Sequence, residues 1–238
     1  MKAVGRSDRG RVRSNNEDVF AIRHGVLVVV DGMGGPVAGE IAAAVAVEEL
    51  ARPGESVERF AAANAAVYAR TVADPALAGM GCVGARVSLV GDIATVAHVG
   101  DCRVFTARQG GVCALLTRDH TVRAEHLGRV SLNEAEAFDA PGGNQVTRDL
   151  GAGPALDHAD VDVAHVELAD GDLVLICSDG LTDHVYNSEV YALLRAARQC
   201  AAPLPEVADR LVDLALERGG KDNITVVVAR VGDLEEEG

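Results

Sequence analysis

The sequence predicts an α+β fold in which antiparallel sheets are covered by helices. Three observations carry that prediction. Short runs rich in Val and Ile, bounded by Gly and Asp, recur along the chain as strands do. Tight turns join several of them, which requires antiparallel pairing. Ala- and Glu-rich stretches of helical length are inserted in pairs between the strand groups, a layered arrangement. Two sheets covered by helices follow. The 238 residues fit one domain, set here at 1–232 with a short acidic tail at 233–238.

Taken in order, a strand at 19–22 leads through Arg23-His24-Gly25 into a second at 26–30 (VLVVV), a hairpin. Residues 36–50 read as a helix with an early Pro and good helix formers. Pro53-Gly54 breaks the chain before a second helix at 57–72. Strands follow at 85–90, 93–99 and 102–107, the first two joined by the two-residue turn Gly91-Asp92. Another strand, 112–117, comes after Gln109-Gly110-Gly111. Helices are expected at 119–128 and at 131–138, where Ser131 and Glu134 have capping-box spacing. Residues 139–144 are loop, and strands return at 146–149, 161–167 and 173–177. Helices at 189–198 and 205–218 precede a last strand at 224–231.

Composition excludes several classes. Aromatics are 3% of the chain, so Val, Ala, Leu and Ile must build the core. No apolar run approaches the ~18 residues that span a bilayer, and the N-terminus has no apolar leader segment, so a cytoplasmic protein without a membrane segment is expected. Five cysteines without a CxxC pair favour reduced thiols over a disulfide framework. A net charge of −14 argues against nucleic-acid binding, which needs a basic face.

The acidic residues have a pattern of their own. Asp31 follows the run at 26–30, Asp101 the run at 93–99, Asp179 the run at 173–177, and Asp222 stands just before the last strand. A carboxylate at the end of a buried strand is costly unless paired, hydrogen-bonded or metal-bound. An Asp-Gly pair alone is usually a turn, as Asp170-Gly171 is expected to be. Several at strand ends point instead to convergence on a cation. All are oxygen donors with no His–Cys cluster beside them, which suits Mg²⁺ or Mn²⁺ and disfavours zinc. Gly32 lets the backbone approach such an ion and offers its carbonyl. Upstream, Arg13 precedes Glu17 and Asp18; its planar fork matches a phosphate, and the carboxylates could reach a metal or its waters.

These segments carry a resemblance. RSNNED (13–18), VDGMGG (30–35), GDCR (100–103), TRDHT (117–121), CSDGLTD (177–183) and KDNITVVV (221–228) occur in the order seen in type 2C, metal-dependent Ser/Thr protein phosphatases of the bacterial kind. The chain resembles that PPM family over nearly its whole length. The resemblance implies an α-β-β-α sandwich, two central antiparallel sheets flanked by helix pairs. It implies a binuclear Mn²⁺ or Mg²⁺ centre on Asp31, the Gly32 carbonyl, Asp179 and Asp222. Glu17 and Asp18 would act through water or at the rim, and Arg13 would bind the substrate phosphate. A third, weaker metal would use Asp101, Asp179 and Asp183. The implied reaction is hydrolysis of phosphoserine and phosphothreonine in proteins by a water bridging ions about 3.5–4 Å apart, without a phospho-enzyme. Partners would be phosphorylated proteins, Ser/Thr kinases among them, and the enzyme a monomer. Residues 119–144 correspond to the family's variable flap.

Met33 stands where many eukaryotic relatives have a His, and none of the seven histidines is placed to replace that proton donor. The family's Met-Gly-Thr-Thr reads Met80-Gly81-Cys82-Val83 here. His98 is expected to be a satisfied core residue, His120 a structural one, and Cys82, Cys102, Cys113 and Cys177 core thiols. The alternatives are a catalytically weak phosphoprotein-binding or scaffold domain, and a phosphomonoesterase acting on small molecules. No GxxxxGK[ST] supports a P-loop enzyme.

Overall fold

The run at 26–30 explains the architecture best: every side chain in it is buried, and successive ones enter different cores. Leu27 and Val29 face one apolar cluster, Val28 and Val30 another. A strand buried on both faces is the middle layer of a stack, since alternate side chains point to opposite faces. The computed structural model describes residues 1–35, 37–127 and 143–232.

One sheet contains β1 (Lys2–Asp8), β10 (Ile224–Arg230), β9 (Leu173–Cys177), β6 (Arg103–Ala107) and β7 (Cys113–Leu115), in that spatial order. The other contains β2 (Asp18–Arg23), β3 (Val26–Met33), β4 (Gly81–Val90), β5 (Ile93–Val99) and β8 (Asp162–Glu167). All pairings are antiparallel. Helices α1 (Ala38–Leu50) and α2 (Ser56–Ala73) cover the second sheet, where Ala42, Ala43 and Ala46 allow close approach to Val28 and Val30. The short helices α3 (Val122–Leu127) and α4 (Asp179–Thr182) flank the loops at one end. Helices α5 (Asn187–Gln199) and α6 (Leu204–Glu217) cover the first sheet through Leu194, Leu211 and Val212 against Leu175, Val226 and Val228. Between the sheets lies a third cluster, with Leu27, Val29, Val83, Ile176 and Val227. The predicted α-β-β-α sandwich is the observed fold.

Several element expectations change. The N-terminal strand β1 was not expected; it pairs along β10 from Lys2↔Arg230 to Asp8↔Ile224. Residues 146–149 are not a strand: Val146 makes an isolated bridge to Thr121, and the Thr147 amide donates to the His120 carbonyl. The expected strand at 112–117 shrinks to Cys113–Leu115, because the Thr117 side chain, not its backbone, takes the Val104 amide. The helix expected at 119–128 begins only at Val122 and is described to Leu127; Gly128, the helix expected at 131–138, the first part of the loop expected at 139–144 and the tail at 233–238 lie outside the described residues. The turns at Gly91-Asp92 and Asp170-Gly171 are present, with Gly91 and Gly171 at positive φ.

Among the described residues no helix is long and apolar enough to cross a membrane.

Candidate metal centre

The acidic segments meet at one end of the sandwich. A cavity of about 550 Å³ there is lined by Arg13, Glu17, Asp31, Gly32, Asp101, Asp179, Asp183 and Asp222, among others. Strand geometry puts Asp31 directly opposite Asp18 on β2, and both lie on the face turned between the sheets. Two like charges in register are destabilising on their own. β3 runs on through Met33, so Asp31 and Gly32 belong to the strand and do not follow it.

Each remaining carboxylate is delivered by a local device. Gly100 has φ +94°, and a Cβ there would collide with Val83, so only glycine makes the corner that presents Asp101. Asp179 is the first residue of α4, and a Cβ on the following Gly180 would strike the Asn223 carbonyl. Gly32 is required for packing as well: its missing Cβ leaves room for the Gly39 carbonyl at the start of α1. Asp183 donates its amide to the Asp179 carbonyl at 2.7 Å and accepts from Asn144 Nδ2 at 3.1 Å.

The electrostatics are those of a site short of positive charge. Burial, reinforced by Asp18 and then Asp179, raises the Asp31 carboxyl well above its usual range. Asp179 is raised likewise, by burial and then by Asp101 and Asp183. Burial pushes Asp18 up to about 6, against a hydrogen bond from Ser178. It pushes Asp101 up to about 7, with Asp119 adding to the effect. Two buried oxygens, Asp18 Oδ1 and Asp179 Oδ1, have no hydrogen-bond partner. Buried polar atoms are rarely left so. An all-oxygen set with orphaned carboxylate oxygens fits a hard divalent cation.

Glu17 lines the cavity but is buried, its carboxylate against Asn15 and Gly39, and Asp18, next to it in sequence, is buried too. Arg13 is half exposed, and its Nη2 donates to Asp222 Oδ2 at 2.6 Å, an ion pair the sequence did not signal. Asp222 Oδ1 accepts the Asn223 amide.

Sequence reasoning missed the supports. Asn223 accepts the Glu17 amide and donates to the Arg9 and Asn15 carbonyls, binding the 9–17 loop to the start of β10. Ser178 Oγ donates to Asp18 Oδ2 at 2.7 Å and accepts the Thr225 amide. Each sits beside a candidate ligand in sequence, the one signal that could have marked it. Arg103 makes a forked pair with Asp119, tying β6 to the segment before α3.

His98 is a satisfied core residue, with Nε2 2.8 Å from the Arg118 carbonyl and its ring stacked on His120. His98, His120 and Asp162 bring ligand atoms within 4.8 Å of one another. Yet the Gly100 amide donates to His120 Nδ1, and the Arg148 guanidinium lies 3.2 Å from His120 Nε2 and pairs with Asp162 at 3.0 Å, so both ring nitrogens and the carboxylate are already engaged. That trio braces the Gly100 corner and is poorly suited to a metal. Cys82, Cys102 and Cys177 are buried, and burial pushes their thiols up; Cys113 is partly buried and Cys200 exposed.

A two-sheet sandwich with carboxylates gathered at one end defines a class, and similarity to known proteins identifies it. The signature of the protein phosphatase 2C family matches residues 21–224, and the chain belongs to that family. It is 33% identical over 248 residues to serine/threonine protein phosphatase PstP of Mycobacterium tuberculosis, covering 99% of this chain and 46% of PstP. The chain thus spans about half the length of that relative. The crystal structure of M. tuberculosis PstP superposes with a TM-score of 0.87 at 32% identity, over 98% of this chain and 99% of that one. A structure of the PstP catalytic domain in complex with two manganese ions superposes with a TM-score of 0.82 at 33% identity, over 98% of both chains.

Proposed function

We propose that residues 1–232 form one catalytic domain that hydrolyses phosphoserine and phosphothreonine in proteins, dependent on Mn²⁺ or Mg²⁺. The observation that carries this is the pair of orphaned buried oxygens, on Asp18 and Asp179, in a cluster of raised carboxylates beside Arg13. The manganese in the PstP structure supports the same reading.

In this reading Asp31, the Gly32 carbonyl, Asp179 and Asp222 would hold two ions, with Glu17 and Asp18 acting through water or at the rim. Asp101, Asp179 and Asp183 would hold a third, weaker ion. Ions so held supply Lewis acidity, activating water and offsetting charge on the phosphoryl oxygens. Arg13 orients the phosphate through its fork; Asp222 holds that guanidinium at the cavity until a phosphate competes for it. A P–O bond to water forms as the bond to the Ser or Thr oxygen breaks. No histidine lines the cavity among the described residues, so water or another group in the cleft must give the departing alkoxide its proton. The partners are phosphorylated proteins, Ser/Thr kinases among them, met by a cytoplasmic monomer, with residues 119–144 as a flap beside the cleft.

The test is release of phosphate from a phosphothreonine peptide with Mn²⁺, with Mg²⁺ and with EDTA, for wild type and Asp179→Asn. Metal-dependent turnover that falls by roughly 10²-fold or more in the variant, about 3 kcal/mol, supports the assignment. Folded, metal-loaded wild type that releases nothing from varied phosphopeptides would sink it. Faster turnover of small phosphate esters than of any peptide would move the substrate class to metabolites.

A further inference from the structure

One rim of the cleft departs from the molecule's charge. The chain carries 36 acidic against 22 basic residues, yet Arg9, Arg11 and Arg13 fall within five residues beside the cavity. Arg13 pairs with Asp222. Arg9, Arg11 and Lys221 are exposed and have no carboxylate partner among the described residues.

Backbone contacts make these three residues one surface. The Arg11 amide donates to the Gly220 carbonyl at 2.7 Å, and Gly10 packs so tightly on the Gly220 and Asp222 carbonyls that a Cβ there would collide. Asn223 ties the Arg9 carbonyl to the same corner. Arg9 Nη1 reaches the carbonyl of Ser14, which lines the cavity. The Arg11 side chain crosses Gly220, with Nε on the Leu216 carbonyl. The Lys221 amide is fixed by His184 Nε2, which holds that end of the loop. Acids on these loops are already engaged: Asp8 Oδ1 accepts the Gly10 amide, and Asp222 holds Arg13.

We infer that Arg9, Arg11 and Lys221 form a cationic shelf beside the cleft that selects protein substrates whose phosphorylated Ser or Thr is flanked by acidic residues. A chain of net charge −14 repels such substrates overall, so a local positive rim both orients them and raises their encounter rate. The shelf adds nothing to bond cleavage; it acts on binding and on association. This inference rests on the phosphatase reading and extends it to substrate class.

The experiment compares phosphothreonine peptides that differ only in flanking charge, acidic against basic, with acids placed on either side in separate peptides. Para-nitrophenyl phosphate, which has no flanks, serves as control. At about 50 mM salt the better acidic peptide should show kcat/KM roughly 3–10-fold above the basic one, mostly through KM, and the advantage should shrink at about 0.5 M salt as screening shortens the field. Arg9→Gln with Lys221→Gln should erase the advantage, read as the ratio of the two peptides, with para-nitrophenyl phosphate turnover correcting for any change in the cleft itself. Arg9→Glu with Lys221→Glu should reverse it, an outcome that damage to the fold would not produce. Equal rates on the two peptides, or a preference that survives charge reversal, would overturn the shelf. Fluorescence anisotropy of the same labelled peptides scores binding even where nothing is hydrolysed, so loss of the phosphatase reading and loss of the shelf remain separate results.

Discussion

The side chain of Asn223 touches three separate backbone groups, and none is its neighbour in sequence: the Glu17 amide and the Arg9 and Asn15 carbonyls. It is 4% exposed, so water cannot replace those bonds. Asn223→Ala leaves one amide and two carbonyls without partners, and a buried unsatisfied group costs about 1–3 kcal/mol. A stability loss of roughly 2–4 kcal/mol is expected, smaller than the sum because the 9–17 loop can relax. The same loop brings Arg13 and Glu17 to the cavity, so kcat/KM should also fall by about 10–100-fold, the usual scale for residues that orient a metal site. Denaturant unfolding and phosphopeptide kinetics on the variant test both. A wild-type unfolding midpoint would mean that Asn223 does not hold the loop.

Among the elements, β4 carries the least expected side chain. Val87 and Ala85 turn to the inter-sheet core, so Arg86 between them must enter the core under α1 and α2. It is 1% exposed, and its guanidinium donates to the Leu50, Arg52 and Gly54 carbonyls and to Ser56 and Ser88. Those carbonyls lie at and just beyond the C-terminus of α1, where the last turn leaves carbonyls unsatisfied and a cation is also favoured by the helix dipole. Arg86→Met keeps the length but orphans them, so roughly 3–4 kcal/mol should be lost in urea unfolding; a loss under about 1 kcal/mol would show that water takes over the cap. Arg86 also shows what one sequence makes legible. Runs such as 26–30 and 224–230 announce buried strands because apolar residues fill both faces. An Arg inside a strand reads as a solvent-facing residue, and β1, half-buried and mixed in composition, shows no period at all. The aspartates at strand ends were legible for the same reason as the strands, by contrast with their apolar surroundings. Asn223, Ser178 and the Arg13–Asp222 pair were not, because each depends on which distant loops meet, and polar residues in loops carry no pattern that says so.

At the scale of the whole molecule, the fold is built around a charge it cannot hold alone. Burial raises Asp18 to about 6 and Asp101 to about 7, and lifts Asp31 and Asp179 well above the usual carboxylate range. At these carboxyls, with folded values above unfolded ones near 3.9, the native state holds more protons than the unfolded state from about pH 4 upwards, so their contribution to stability falls as pH rises; His98, His120 and His184, lowered by burial, act the opposite way below about pH 6.5. Metal-free protein should therefore melt higher at pH 7 than at pH 8, above the range where those histidines oppose the effect, by about 1 kcal/mol or more, since each pKa unit is worth about 1.4 kcal/mol. Divalent cations favour the ionised carboxylates, release protons on binding and reverse the trend, adding about 2.7 kcal/mol at a hundredfold excess over Kd. Asp31→Asn separates the two effects. It removes the carboxylate that faces Asp18 in register, so in EDTA at pH 8 the variant should melt above wild type, yet gain little from Mn²⁺. Scanning calorimetry across pH 5–8, with EDTA and with Mn²⁺, reads both. Stability in EDTA that stays flat or rises from pH 7 to pH 8 would show that the carboxylates are not held against their charge; an Asp31→Asn chain that melts lower and still responds fully to Mn²⁺ would remove Asp31 from the centre. The expected pattern is that of a site in which stability is given up so that binding a cation can restore it.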